Sequence, residues 1–152
     1  MYINYEYYNT LYGDKALAET DFNRLSLDAE REIDKATSGV DGVKKLKIAF
    51  PTNEYDAEIV KRCVCDLIDY LSRLEKAQSK MIDNGGIIAS KSAGNESITY
   101  ANIDNDINIA LSGAKGKEKS ISEFVVEKLR GVNDANGVNL LYMGIYPYRI
   151  EV

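Results

Sequence analysis

The sequence predicts a mainly α-helical protein, a small helical bundle with extended N- and C-terminal arms. Two observations predict this class: apolar residues recur every three or four positions over long segments, and typical helix start and stop signals bound those segments. The 152 residues are 45% hydrophobic and 28% charged, which is typical of one globular domain. We therefore expect a helical domain over residues 17–144, between an N-terminal arm (1–16) and a C-terminal tail (145–152).

The N-terminal arm is unusually rich in tyrosine. Tyrosine favours strands and is enriched at protein interfaces, so the segment is predicted to be extended. Two interpretations remain open: the tyrosines contact a partner, or they fill a small sheet that joins the two chain ends. The tyrosines concerned are Tyr2, Tyr5, Tyr7, Tyr8 and Tyr12.

A first long helix is predicted over residues 22–36, ending near Gly39. Residues 43–50 are expected to form a short helix or turn, which Pro51 ends, and Thr52 is the predicted N-cap of the next helix. The apolar positions that define the first helix are Phe22, Leu25, Ala29, Ile33 and Ala36.

The strongest helical pattern covers residues 54–82. Its opposite face carries the pairs Glu58 with Arg62 and Asp69 with Arg73, each acid four residues before its base, as on a solvated helix surface. The apolar stripe spans barely three heptads, which favours packing within the domain over a coiled coil. The stripe consists of Val60, Val64, Leu67, Leu71, Leu74 and Met81, widened by Ile59, Cys63 and Ile68.

The third quarter of the chain is predicted to be mostly irregular. Residues 85–100 are rich in Ser, Gly and Asn, which indicates a loop or irregular hairpin, and the loop region extends through a linker to residue 117. Ser120 and Glu123 then form a capping box, with Glu three residues after Ser, and predict a helix ending at Gly131.

The composition excludes most catalytic chemistry. Histidine is absent, which removes the commonest general base and zinc ligand. Cys63 and Cys65 are the only cysteines, and residues two apart on a helix diverge, so core packing is the interpretation for Cys63. The glycines and lysines of 113–117 lack phosphate-loop spacing. We expect no enzyme, no catalytic residue, no metal and no cofactor.

The formal net charge of −5 disfavours a protein that grips nucleic acid by neutralising phosphates. Lys44, Lys45 and Lys47 form the only small basic cluster, and a helical nucleic-acid-binding regulator is kept as the alternative function. No apolar run is long enough to span a membrane and no signal peptide is evident, so a soluble protein without membrane association is expected.

Four segments resemble a known family. They are FPTNEYD (50–56), VKRCVCD (60–66), SAGNESITY (92–100) and GVNLLYMG (137–144). Together with the helix at 22–36, which follows the acidic residues 19–21, they are similar to the small head–tail connector (adaptor) proteins of tailed bacteriophages and prophages, especially those of clostridial hosts. The resemblance covers residues 17–147 and departs in the N-terminal arm and at 101–117.

The resemblance implies a structural virion protein. Such proteins form a ring, typically of twelve copies, beneath the portal, where they extend the DNA channel and bind the next neck or tail-completion protein. DNA passes through without specific binding, and the expected location is the head–tail junction, after assembly in the bacterial cytoplasm. We expect the helices at 21–37 and 54–82 to supply much of the contact between copies.

The sequence offers two sets of candidate binding residues, one in the tail and one in the loop. The tail has an alternating pattern suited to strand addition on a neighbouring protein, and the resemblance implies that this protein is the portal. The alternative is that the tail pairs with residues 2–8 of its own chain. Its portal-binding candidates are Tyr146, Tyr148, Arg149, Ile150 and Val152. The loop is expected to order on meeting a neighbour, with contacts from Ser92, Asn95, Glu96 and Tyr100.

Overall fold

The computed structural model describes residues 1–83 and 120–148. The described chain is mainly helical, which confirms the predicted class. Its α-helices are α1 (Tyr5–Tyr12), α2 (Glu19–Thr37), α3 (Lys45–Ile48), α4 (Glu54–Asp83) and α5 (Ile121–Lys128), with a 3-10 helix at Gly13–Lys15 after α1. The predicted loop and linker at 85–117 lie outside the described residues.

The chain divides into two compact units. The first consists of residues 1–68 and 121–152, and the second of residues 69–120. Helix α4 begins in the first unit, and its residues from Asp69 onward belong to the second. All the sites described below lie in the first unit.

Helix α2 is central to the first unit and packs against α1, α3 and α5. Four of the five positions of its predicted apolar stripe are buried, namely Phe22, Leu25, Ala29 and Ile33, and Ala36 is half-buried. On α4 the residues buried in this unit include Val60, Cys63, Val64, Leu67 and Ile68, and on α5 they include Val125. The stripes read from the sequence are therefore core faces over residues 22–33 and 60–68, whereas Ile59, Leu71 and Leu74 are only half-buried. The packing interpretation for Cys63 is confirmed.

The N-terminal segment is helical rather than extended, which corrects the sequence prediction. The Asn4 side chain accepts a hydrogen bond from the backbone N–H of Tyr7 at 2.9 Å and caps α1, which ends where Gly13 has a φ of +52°. Tyr8 is fully buried, and its ring centroid lies 5.1 Å from that of Phe22. Tyr8 therefore belongs to this chain's own helical core, and Tyr5, Tyr7 and Tyr12 are half-buried. The described residues of this segment form no sheet.

Two buried carboxylates of α2 hold the residues before α1. Glu30 accepts a hydrogen bond from the backbone N–H of Tyr2 at 2.5 Å, and Asp34 accepts one from the Tyr2 hydroxyl. Lys47 lies within salt-bridge distance of both carboxylates, at 3.7 and 3.8 Å. The Tyr2 ring also stacks on Phe50, with centroids 5.6 Å apart. The start of the chain is thus fixed against α2 and α3.

The helix boundaries follow the predicted signals with one change of cap. Helix α4 begins at Glu54, and the side chain of Asn53, not that of Thr52, accepts the hydrogen bond from the backbone N–H of Tyr55, at 2.9 Å. Helix α5 begins at Ile121, directly after the serine of the capping box.

Residues 132–148 form turns with one isolated antiparallel bridge, between Asn133 and Asn139. Pro147 and Tyr148 lie in a turn, and Tyr146 is buried against its own chain. The described residues 145–148 therefore do not form the predicted extended tail, because contacts with residues distant in the sequence fix their backbone conformation. Residues 149–152 lie outside the described residues.

Two buried thiols and one partly buried phenol make the stability of the fold sensitive to alkaline pH. Burial, with a contribution from Asp66, raises the pKa of Cys63 and of Cys65 from 9.0 to about 12, and burial beside Glu58 raises that of Tyr7 from 10.0 to about 12. The folded state therefore keeps protons that the unfolded chain releases. Their stabilising contribution is complete below pH 9 and is lost as pH rises towards 12.

We expect urea midpoints to fall progressively above pH 9. Lys45, whose pKa is lowered by burial, has the opposite effect on the change of stability with pH. A variant that lacks only the two thiols therefore tests their contribution separately. The Cys63→Ala/Cys65→Ala variant should show a smaller loss of stability between pH 8 and pH 10.5 than the wild type. Equal losses in the two proteins would contradict this origin of the alkaline sensitivity.

Candidate functional site

Large exposed apolar side chains gather around the turns that follow α5. Val40 is 81% exposed and Ile145 is 68% exposed, and the backbone N–H of Val40 donates to the Met143 carbonyl at 2.9 Å. Single exposed apolar residues are ordinary, whereas several within one short segment favour an interaction surface. We call this group the apolar platform; it consists of Val40, Tyr142, Met143, Ile145 and Tyr148.

A buried lysine supports the platform from beneath. Lys45, at the start of α3, is fully buried, and its ammonium donates to the carbonyls of Leu140 at 2.9 Å, Asn139 at 3.4 Å and Tyr142. It also lies 5.7 Å from the centroid of the Tyr142 ring. Since an ammonium has three donors and no acceptor, one side chain satisfies this run of carbonyls.

A second polar cluster, formed by Asp134 and Asp41, fixes the two ends of the turn segment at residues 134–146. Asp134 is buried and accepts hydrogen bonds from the Tyr146 hydroxyl at 2.5 Å and from the backbone N–H groups of Asn136 and Val138 at 2.9 and 2.8 Å. The carboxylate of Asp41 accepts from the backbone N–H of Tyr146 at 2.8 Å. Burial and the Asp134 contact raise the pKa of Tyr146, so its hydroxyl stays protonated as a donor.

Two glycines allow the turn after α2 to lie close to the platform. A Cβ atom at Gly39 would overlap the carbonyl oxygen of Gly144, and one at Gly144 would overlap the Tyr142 side chain. At Gly39 the neighbouring atom is backbone, so only glycine fits there, whereas at Gly144 a Cβ atom would displace the Tyr142 side chain. Hydrogen bonds, a buried ammonium and close packing therefore hold the platform in one arrangement, although it contains no regular secondary structure.

The structure brings together only part of the predicted portal-binding set. Tyr148 is exposed on the platform, whereas Tyr146 lies beneath it and supports it. Arg149, Ile150 and Val152 lie outside the described residues, as do the predicted loop contacts Ser92, Asn95, Glu96 and Tyr100. The sequence prediction did not include Val40, Met143 or Ile145 in the site, since no local pattern joins residue 40 to residues 142–148.

The small basic cluster is largely engaged within the fold. Lys45 binds backbone carbonyls, and Lys47 pairs with Glu30 and Asp34 and lies 4.8 Å from the centroid of the Tyr2 ring. Lys44 is exposed. A basic face for nucleic acid is therefore not assembled from these three lysines.

A concavity of about 410 Å³ lies where α1, α4 and α5 meet. Within it, the Asp66 carboxylate accepts from the Tyr12 hydroxyl and from the Lys128 ammonium, each at 2.9 Å. The raised pKa of Cys63, which also lines this concavity, keeps its thiol protonated and so unreactive as a nucleophile at neutral pH. The contacts tie three helices together.

Neither a metal site nor a membrane-spanning helix is found in the described part of the chain. Within residues 1–83 and 120–148, no three cysteine or acidic side chains are grouped to hold a metal ion. No helix in those ranges has the length and apolar character needed to cross a membrane. Comparisons of the chain with protein-family models, with curated proteins and with solved structures found no match.

Proposed function

We propose that this protein is a structural subunit of the head–tail junction of a tailed bacteriophage. Copies form a ring, of twelve subunits by resemblance to connector proteins, beneath the portal, and the ring joins the head to the neck or tail and extends the DNA channel. The observation that carries the proposal is the apolar platform, because a rigid exposed apolar surface is a protein-binding surface.

One of the segments that resemble connector proteins takes part in this surface and in its support. The segment 137–144 supplies Tyr142 and Met143 of the platform and the carbonyls that Lys45 binds. The segment 50–56 leads from α3 into α4 and contains the cap of α4. The resemblance therefore coincides with surface-forming turns and a helix start, as suits a protein that binds other proteins.

In this proposal the platform, rather than an extended tail, has the portal-binding role. Its proposed partner is the portal, with the next neck or tail-completion protein bound elsewhere on the ring. The net charge of −5 and the engagement of Lys45 and Lys47 within the fold suit a channel through which DNA slides without being gripped. The same observations disfavour a nucleic-acid-binding regulator.

Complementation of a phage that lacks the gene tests this role. The Ile145→Asp variant should lower the infective titre at least about tenfold, since a carboxylate buried in an apolar contact is costly. Unjoined heads and tails should accumulate in the lysate. The control is Ala18→Asp, which adds the same charge at the exposed N-cap of α2. Full rescue by Ile145→Asp would contradict a role for the platform in joining head and tail.

A further inference from the structure

A chemically labile pair of residues lies in the turns that support the platform. Asn136 is followed by Gly137, and both residues are exposed in the turns after α5. Asparagine before glycine is the dipeptide most prone to deamidation, because glycine has no Cβ atom to crowd the attacking backbone nitrogen. The sequence contains one other such pair, Asn84–Gly85, which lies outside the described residues.

The reaction requires water and no other reagent. The backbone nitrogen of Gly137 gives up its proton to solvent and bonds to the side-chain Cγ of Asn136. The bond from Cγ to the side-chain nitrogen breaks, and that nitrogen takes up a proton and leaves as ammonia. Water then opens the resulting succinimide at either carbonyl. The products are aspartate and isoaspartate at position 136, and each carries a negative charge that asparagine lacks.

The folded turn restrains both reacting groups. The backbone N–H of Gly137 donates to the Asp134 carbonyl at 3.0 Å, so a hydrogen bond holds the proton that the nucleophile must lose. The Nδ2 amide of Asn136 donates to the Tyr146 hydroxyl at 2.9 Å, which fixes the side chain that must be attacked. Because both bonds must open before the succinimide ring can close, the fold slows a reaction that the sequence favours.

The product is incompatible with the contacts of the asparagine. The Tyr146 hydroxyl donates its single proton to Asp134 at 2.5 Å and accepts from the Asn136 amide. A carboxylate at position 136 cannot donate, and it adds a negative charge next to the buried Asp134 carboxylate. Since Tyr146 lies beneath the platform, loss of its donor and the added repulsion weaken the platform's support.

We infer that Asn136–Gly137 is a deamidation site, that the hydrogen bonds of Asp134 and Tyr146 protect it, and that its product weakens the same cluster. The reaction acts on chains in which the cluster has opened, and it makes reclosure less favourable. The inference goes beyond the proposed function and does not depend on it, because it concerns the covalent chemistry of the isolated chain.

Peptide mapping by mass spectrometry tests the protection. During incubation at pH 8, Asn136 in the folded chain should convert at least about tenfold more slowly than in the same chain unfolded in guanidinium chloride, since two hydrogen bonds must open. Tyr146→Phe removes the acceptor of the Asn136 amide and should raise the rate about threefold to tenfold. The control is Tyr148→Phe, which removes the hydroxyl of an exposed tyrosine two residues later.

Circular dichroism establishes that each variant is folded. Equal rates in the folded and unfolded wild-type chain would overturn the protection, and this comparison needs no variant. A folded Tyr146→Phe variant that converts no faster than Tyr148→Phe would show that the Tyr146 hydroxyl does not protect the site.

The Asn136→Asp variant tests the effect of the product. Hydrogen exchange over residues 139–146 should be at least about threefold faster than in the wild type, as expected for the loss of one hydrogen bond. Ala135→Asp is the matched control, because it adds the same charge at the exposed neighbouring position and keeps the amide that donates to Tyr146. Exchange in Asn136→Asp no faster than in Ala135→Asp would overturn the inferred effect on the platform's support.

Discussion

Replacing Lys45 with methionine is expected to lower the free energy of unfolding by about 3 kcal/mol, because buried acceptors lose their donors. Methionine has a similar length and fills the same space. It cannot donate to the carbonyls of Asn139, Leu140 and Tyr142, which the ammonium now satisfies. Urea unfolding measures the loss, and hydrogen exchange over residues 139–146 shows whether the platform's support opens.

The matched control is Lys44→Met, one residue earlier and exposed. It should change stability by less than about 0.5 kcal/mol, as surface substitutions usually do. If Lys45→Met were as stable as Lys44→Met, with unchanged exchange in residues 139–146, the buried ammonium would not be what holds the platform.

Replacing Tyr8 with alanine is expected to cost about 4 kcal/mol, the range for removing a large buried aromatic side chain. Tyr8 is fully buried, and its ring lies 4.8 Å from that of Tyr12 and 5.1 Å from that of Phe22, measured between centroids. Removal of the ring leaves a cavity between α1 and α2. Thermal or urea unfolding measures the effect.

Asn9→Ala is the control for this change, because Asn9 is the exposed neighbour of Tyr8 on α1. Its substitution should leave stability nearly unchanged. A Tyr8→Ala variant with wild-type stability would restore the interpretation of residues 1–16 as a contact arm that is not part of the folded core.

Local sequence signals were sufficient for α2, α4 and α5. On α2, Phe22, Leu25, Ala29 and Ile33 keep helical spacing and are all buried. The start of α5 follows its capping box. These elements are decided by residues close together in sequence, so their bounds could be predicted to within a few positions.

The helix α1 was missed because residue type was given more weight than spacing. Tyrosine favours strands, yet Tyr5, Tyr8 and Tyr12 recur at three and four residues, as on a helix face. Asn4 and Gly13 are an ordinary cap and stop on either side of them. Those two signals, read with the spacing, would have predicted the helix.

The platform could not be predicted from local signals. Its supports join residues far apart in sequence: Lys45 binds the carbonyl of Leu140, and Asp41 binds the backbone N–H of Tyr146. The alternation at Tyr146 and Tyr148 suggested that both face one side, but long-range hydrogen bonds bury the first and leave the second exposed.

Cryo-electron microscopy of purified virions of the phage that encodes this chain tests the proposed function most directly. The proposal predicts density for a ring of this helical subunit between the portal and the tail, with the platform of each copy buried in a protein contact. A neck in which this chain is absent, or in which Val40, Tyr142, Met143 and Ile145 all face solvent, would contradict it.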